Sequence, residues 1–355
     1  MLKLSRSTWL CEGGVNLSDL PSRLPPRATI SLDVPPRICN NPAWKARIPA
    51  IAATVAQTAL PGAQMSTVKI GNKQVGEGQP CYVIAEIGIN HNGDIDLAKR
   101  LISVAVAAGC DAVKFQKRTV EIVYTEKELA TPRENPFGAT NGDLKRGLEF
   151  GREDYEEIAS FCKSLKTPWL VSPWDEKAVD FMEQFDTPVY KIASASLTDD
   201  NLLRHVRKTG KPIVASTGMS TYDEIDHAVE VLGKQDLILM HTTSTYPAKY
   251  EQLNLRAIPT MAQRYGVPIG YSGHETGIPT SVAAAVLGAC MVERHITMDR
   301  AMWGSDQSAS LEPNGISRLV RDIRLVEQSM GDGIKRVYEE EVPVMKKLRR
   351  VGAAV

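Results

Sequence analysis

The sequence predicts a (β/α)8 TIM barrel on three observations. Eight short apolar runs of strand length are each followed by an amphipathic helical stretch, and polar residues gather at the C-terminal ends of the runs. The first run, residues 82–87, is apolar apart from Glu86. A strand apolar on both faces belongs in a parallel sheet covered by helices, so a carboxylate there belongs at the C-terminal rim, where barrel chemistry sits. Asp94 is placed to N-cap a helix in which Leu97, Leu101, Ile102, Val104 and Ala105 recur at helical spacing up to Gly109. The second strand, 112–116, ends with Lys114 and Gln116.

The remaining units follow without a break. Strand three covers 169–172 after a helix over 153–165, and strand four covers 189–192 after 176–185. Strand five covers 212–216 after 201–209, and strand six covers 237–241 after 222–232. Strand seven covers 267–271 after 255–265, strand eight covers 291–295 after 279–287, and a helix over 316–330 closes the count. A doubly wound sheet would need fewer strands or a glycine-rich dinucleotide loop, and no GxGxxG follows the first strand. Residues 118–148, rich in Pro, Asn and Gly, form a long insertion on the catalytic side, where such loops serve as lids or specificity elements. Residues 68–75 suggest a short strand pair turning at Gly71-Asn72 or Asn72-Lys73 and plugging the bottom of the barrel.

Residues 1–64 differ from the rest. Pro-rich breaks such as Pro21, Pro25, Pro26, Pro35 and Pro36 interrupt them, and seven basic residues stand against three acidic ones. A transit peptide, a disordered tail, or a translation start at Met65 each fits, though serine enrichment and a clean amphipathic helix are missing. The expected organisation is a leader over 1–64, a barrel over 65–335 and a charged tail over 336–355.

Of the 355 residues, 43% are hydrophobic and 24% charged, and Lys+Arg and Asp+Glu both number 42. No basic excess points to nucleic acid or a membrane surface, and no apolar run approaches the roughly 18 residues of a membrane span. The six cysteines contain no CxxC pair, and Cys81, Cys110 and Cys290 sit in or beside apolar strand segments. Reduced structural thiols in a cytoplasmic protein are therefore expected.

The strand ends carry Glu86, Lys114, Gln116, Ser172, Lys191, Ser194, Ser216, His241, Ser272, His274 and His295. One polar strand end is as well explained by a satisfied structural group, but a whole rim of them makes a site. Lys114 and Lys191 would converge as two cations, while Ser216-Thr217-Gly218-Met219-Ser220 leads into a helix at Thr221. Hydroxyls, a glycine and helix N-terminal amides make an anion cradle for a phosphate or carboxylate, although Ser220 or Thr221 also serves simply as a cap. His274 and His295 end neighbouring strands and suit a divalent metal, completed by water and substrate oxygens. Two histidines alone are a weak metal signal, and His241 competes with them. Asp306 is placed to orient a hydroxyl-rich substrate or to transfer a proton.

These motifs together resemble the sialic acid synthase family, which condenses phosphoenolpyruvate with an N-acetylated hexosamine. The matching stretches are IAEIG with NHNG (84–88, 90–93), KFQ (114–116), YKIAS (190–194), STGM (216–219), residues 241–247, GYSGH (270–274), ERH (293–295) and SLEP (310–313). The resemblance spans about 68–330. It implies that Glu86, Lys114, Ser172, Lys191, Ser194, Ser216, Ser244 and Ser272 surround phosphoenolpyruvate. It also implies that His274 and His295 hold manganese or magnesium and that Gln116, Tyr246 and Asp306 face the acceptor sugar, with Glu86, Lys114, Lys191 and Asp306 as the catalytic set. The implied enzyme is a C–C bond-forming transferase and a homodimer. Family members often carry an acidic sugar contact two residues after the strand-four serine, where this chain has Ser196. Longer members add a C-terminal antifreeze-like domain that gives an arginine to the partner subunit, and that domain is expected to be absent after the charged stretch 337–350. A legionaminate- or pseudaminate-type synthase keeps the chemistry and changes the acceptor, whereas a barrel that binds without turnover is the reading from another class.

Overall fold

The computed structural model describes residues 67–352, so the leader assigned to 1–64 lies outside the described residues. Eight parallel strands close into a barrel: β3 (Tyr82–Gly88), β4 (Ala112–Lys117), β7 (Trp169–Pro173), β8 (Tyr190–Ile192), β9 (Ile213–Ser216), β10 (Leu237–Thr242), β11 (Ile269–Gly273) and β12 (Met291–His295). They pair in that order, and β12 returns to β3. All eight lie where the apolar runs predict them.

The antiparallel hairpin β1 (Val68–Ile70) and β2 (Lys73–Val75) turns through Gly71, whose φ of +59° suits a residue without Cβ. Its Val68, Ile70 and Val75 are buried in one cluster with Tyr82, Ala112 and Met291, which open their strands, so the hairpin does plug the bottom. The second, larger cluster lies between the strands' outer faces and the helices. Helix α1 (Ile95–Ala107) shows the logic: Asp94 accepts from the Asp96 and Leu97 amides, and Leu97, Ala98, Leu101, Ile102 and Ala105 are buried.

The insertion after β4 is more ordered than a loop. It forms α2 (Val120–Val123), α3 (Glu126–Leu129), the hairpin β5 (Pro132–Asn135) with β6 (Gly138–Thr140), and α4 (Asn141–Leu148). Thr125 with Glu128, and Thr140 with Asp143, close reciprocal capping boxes that start α3 and α4. At the hairpin tip Phe137 meets Trp303 edge-on at 6.5 Å, and Asn92 donates to the Trp303 carbonyl at 2.9 Å. The insertion thus touches the loop after β12 across the barrel mouth. The outer layer continues with α5 (Arg152–Ser164), α6 (Glu176–Met182), α7 (Asp200–Lys208), α8 (Tyr222–Leu232), α9 (Ala257–Tyr265), α10 (Pro279–Val286) and α11 (Pro313–Ser329).

The β3–β4 register slips between Glu86 and Gly88, where Gly88 has φ +55°. A Cβ on Gly88 would come within 3.1 Å of both Gln116 Nε2 and Glu86 Oε1. This irregularity re-aims the end of β3 directly beside the charged rim. The tail contributes α12 (Glu341–Leu348), which has no buried residue. Among the described residues no helix is long and apolar enough to cross a membrane, and Cys81, Cys110, Cys162 and Cys290 are free thiols.

Candidate active site

Side chains alternate along a barrel strand, so the neighbours of an outward apolar residue face the interior. That alternation turns Glu86 of β3, Lys114 of β4, Lys191 of β8 and Glu293 of β12 into one buried cluster at the C-terminal end of the barrel. Lys114 Nζ lies 3.0 Å from Glu86 Oε2 and 3.5 Å from Glu293 Oε1, and donates to Ser172 Oγ at 3.0 Å. Lys191 Nζ donates to Glu293 Oε1 at 3.1 Å, and the Ser272 hydroxyl reaches the same oxygen at 3.3 Å.

The cluster is two ammonium groups against two carboxylates, rather than the bare pair of cations that strand positions suggest. In the sequence Glu293 stands out only as part of a motif, and its place two residues before His295 on an alternating strand is the available signal. Burial alone would raise its carboxyl, but Lys114 and then Lys191 hold it down at about 2. Burial also works against the Lys114 ammonium, yet Glu293 and Glu86 keep it above the ordinary lysine range. Lys191 goes the other way: burial pulls it below that range, Glu293 opposes this and Lys114 adds to it. The two lysines therefore differ in how firmly each keeps its proton.

Hydroxyls line the same rim. Among the described residues Ser216 Oγ is buried without a partner, and Gly218 N donates to Ser194 Oγ at 3.1 Å. A Cβ on Gly218 would fall 2.1 Å from Ser244 Oγ and 2.8 Å from Ser194 Oγ, so only glycine lets both hydroxyls close on that backbone. Ser196, two residues on, is buried in the 3-10 turn Ser194–Ser196. The expected capping role of Thr221 also holds, since it closes a capping box with Glu224 at the start of α8.

His274 and His295 come together with ring centroids 5.5 Å apart. His274 Nδ1 is 2.8 Å from the Thr243 carbonyl, a bond that makes Nδ1 the donor and leaves the Nε2 lone pair free. Burial, reinforced by His295, draws the His274 imidazole down to about 4, so it is neutral at physiological pH. Among the described residues His295 Nδ1 is buried without a hydrogen-bond partner, 3.9 Å from Asp306 Oδ2. Paired imidazoles with nitrogens left free of hydrogen bonds suit a divalent cation. Among the described residues no group of three or more His, Cys, Asp or Glu side chains is arranged to hold one, so the pair would supply two protein ligands.

His241 is not part of this group. Its Nε2 meets the Leu253 carbonyl at 2.7 Å and its ring lies 6.2 Å from that of Tyr271, on the helix-facing side. Tyr246 covers the histidine pair, 4.1 Å from the His274 ring and edge-on to His295 at 5.8 Å. Gln116 Nε2 donates to Glu86 Oε1 at 2.8 Å. Arg118, which no sequence motif singles out, donates to Gln116 Oε1, lies 3.2 Å from Glu149 Oε1 and stacks on Trp174 at 4.3 Å. The Gln116 amide is thereby fixed in one orientation.

His91, in the loop after β3, stacks on Phe150 at 4.0 Å, and its Nδ1 accepts the Gly93 amide. Burial drives its imidazole from 6.5 down to about 3. An imidazole that binds its proton less readily when folded contributes stability that is complete above pH 6.5 and is lost as pH falls towards 3. Between pH 7 and pH 5 the loss is about 2 kcal/mol, and His274 adds to the same limb. Urea unfolding of His91→Gln at the two pH values should show a slope shallower by about that amount; an unchanged slope would remove His91 from the acid limb.

A closed parallel barrel whose C-terminal rim gathers buried charges, hydroxyls and paired imidazoles defines a (β/α)8-barrel enzyme. The chain belongs to the NeuB family, matched over residues 101–335. It is 40% identical over 279 residues to the human N-acetylneuraminate-9-phosphate synthase, covering 77% of this chain and 78% of that protein. It is 35% identical over 295 residues to the N,N'-diacetyllegionaminic acid synthase of Legionella pneumophila, covering 79% and 82%. The crystal structure of the N-acetylneuraminic acid synthetase of Leptospira borgpetersenii, in complex with citrate, superposes with a TM-score of 0.70 at 29% identity, over 81% of this chain and 98% of that one. These relatives are sugar-acid synthases, which places the chain among enzymes of that kind.

Proposed function

We propose that the chain joins phosphoenolpyruvate to the open-chain aldehyde of an N-acetylmannosamine-type hexosamine, giving an N-acetylneuraminate-type nonulosonic acid and phosphate. The observation that carries this reading is the buried Glu86, Lys114, Lys191 and Glu293 cluster ringed by serine hydroxyls beside the His274 and His295 imidazoles. Phosphoenolpyruvate brings two anionic groups, and two buried ammonium groups with unequal hold on their protons suit one each. Lys114, held charged and bonded to Ser172, serves as a fixed electrostatic contact. Lys191, whose proton leaves more readily, would pass a proton as phosphate departs. Ser194, Ser216, Ser244 and Ser272 donate to the remaining oxygens.

Carbon 3 of phosphoenolpyruvate forms the new C–C bond to the aldehyde carbon, a water oxygen adds at carbon 2, and the C–O bond to phosphate breaks. His274 and His295 would hold a manganese or magnesium ion, which when bound supplies Lewis-acid polarisation of a carbonyl oxygen. Gln116, with its amide fixed by Arg118, and Asp306 would orient acceptor hydroxyls, and Tyr246 covers that end.

The acceptor has two candidate extensions. Carbons 1–6 of the hexosamine become carbons 4–9 of the product, so a 9-phosphate product like that named for the human relative requires a 6-phosphorylated acceptor. With Ser196 at the position of the expected acidic contact, the second is an acceptor leading to a product like the N,N'-diacetyllegionaminic acid named for the Legionella relative. Phosphate release from phosphoenolpyruvate with Mn2+ across N-acetylmannosamine, its 6-phosphate, mannose and diacetamido sugars tests the reading, with EDTA and His295→Ala as controls. Release with one sugar, abolished by both controls, is expected. Silence across the panel would favour a barrel that binds without turnover.

A further inference from the structure

Behind the two imidazoles, on the helix-facing side of the barrel wall, lies an ion pair that the proposed reaction does not use. Glu275 follows His274 and Arg294 precedes His295, and both are fully buried. Because side chains alternate across a strand, His295 faces the interior and Arg294 faces the helix layer. There Arg294 Nη1 lies 3.1 Å from Glu275 Oε1 and donates to Ser281 Oγ at 2.8 Å and the Gly277 carbonyl at 2.7 Å, while Nη2 donates to the Glu275 carbonyl. Glu275 accepts the Tyr271 hydroxyl on Oε2 at 2.8 Å, and the Thr280 and Ser281 hydroxyls on Oε1 at 2.7 and 3.0 Å.

A buried ion pair adds little net stability over an apolar pair of similar shape, so this concentration of bonds on one carboxylate calls for another account. The β11–β12 ladder ends at Gly273 opposite Arg294, which puts His274 one residue past the last paired position. Past that ladder His274 is held by its ring bond to the Thr243 carbonyl, by the Ala248 amide that donates to the His274 carbonyl at 3.0 Å, and by the anchored Glu275 that follows it. We infer that the Glu275–Arg294 pair is a positioning clamp that ties the end of β11 to β12 and sets the spacing and aim of His274 and His295. This rests on the cation reading of that imidazole pair. Neither clamp residue touches substrate, and both act through the histidine next to them in sequence.

The test is Mn2+ binding to the EDTA-stripped full chain by isothermal titration, run beside thermal unfolding. Glu275→Gln combined with Arg294→Met removes both charges at once and leaves no lone buried charge. Tyr271→Phe, which removes one bond to Glu275, is the milder companion. The double variant should unfold cooperatively and bind Mn2+ about tenfold more weakly or worse, with a smaller loss in the same direction for Tyr271→Phe. Wild-type Mn2+ affinity in either folded variant would overturn the clamp while leaving the cation reading intact, and if the double variant does not fold, Tyr271→Phe decides alone. A wild-type chain that takes up no Mn2+ would overturn the cation reading and the clamp together.

Discussion

Glu293→Gln should both loosen the fold and stop the reaction. The substitution keeps the size of the side chain and removes the anion that Lys191 meets at 3.1 Å and Lys114 at 3.5 Å. Lys114 still has Glu86 at 3.0 Å, but among the described residues Lys191 is left buried without an ion-pair partner, and burial already pulls its ammonium below the ordinary range. Two routes give the size of the effect. Breaking a buried pair by removing one partner costs about 3–5 kcal/mol. A carboxyl held at about 2 in the fold against 4.5 unfolded contributes about 3 kcal/mol, present above pH 4.5 and lost as pH falls towards 2. A loss of about 3 kcal/mol in urea unfolding at pH 7 is therefore expected. Adding Lys191→Met to Glu293→Gln removes the stranded cation and should recover most of the stability while phosphate release stays lost. If the single variant is as stable as wild type and still turns over, the ion cluster is not the heart of the site.

How far the fold is legible in the sequence depends on how far apart the interacting residues lie. Strands buried on both faces announce themselves as apolar runs, and Asp94 and Thr221 cap their helices through contacts only a few residues away. The capping boxes at Thr125 and Thr140 are just as local, but Pro132, Pro136 and Gly138 give their surroundings the look of a loop. His241 can be set aside by alternation alone. Ile238 and Met240 belong to the interior cluster and Leu237 and Leu239 to the outer one, so His241 must face outward. Glu293 is different. Its partner Lys191 lies 102 residues away on a strand that is not its neighbour, and only closure of the barrel brings them together. Residue type and strand end mark the lysines and histidines, whereas the balance of charge among them is a property of the closed structure.

The unequal lysines make the second large prediction. Lys114→Met removes a charge that Glu86, Glu293 and Ser172 all meet, and leaves Glu86 buried without its cation. Loss of a buried, hydrogen-bonded charge contact costs about 2–5 kcal/mol, so kcat/KM for phosphoenolpyruvate should fall by about 10²- to 10³-fold or more. Lys191→Arg should behave differently, because it keeps a charge that cannot be shed in the accessible range and loses a group that can be. In the wild type, activity should decline on the alkaline side with a midpoint below the ordinary lysine value of 10.5, the direction in which burial shifts Lys191. The Arg variant should be slower yet keep its activity into more alkaline solution, and Lys114→Arg should leave the midpoint in place because Lys114 is held above that value. A pH–rate profile of phosphate release on the three proteins separates the two roles. An alkaline limb that moves with Lys114 and ignores Lys191 would reverse the assignment, making Lys114 the group that moves the proton and Lys191 the fixed charge.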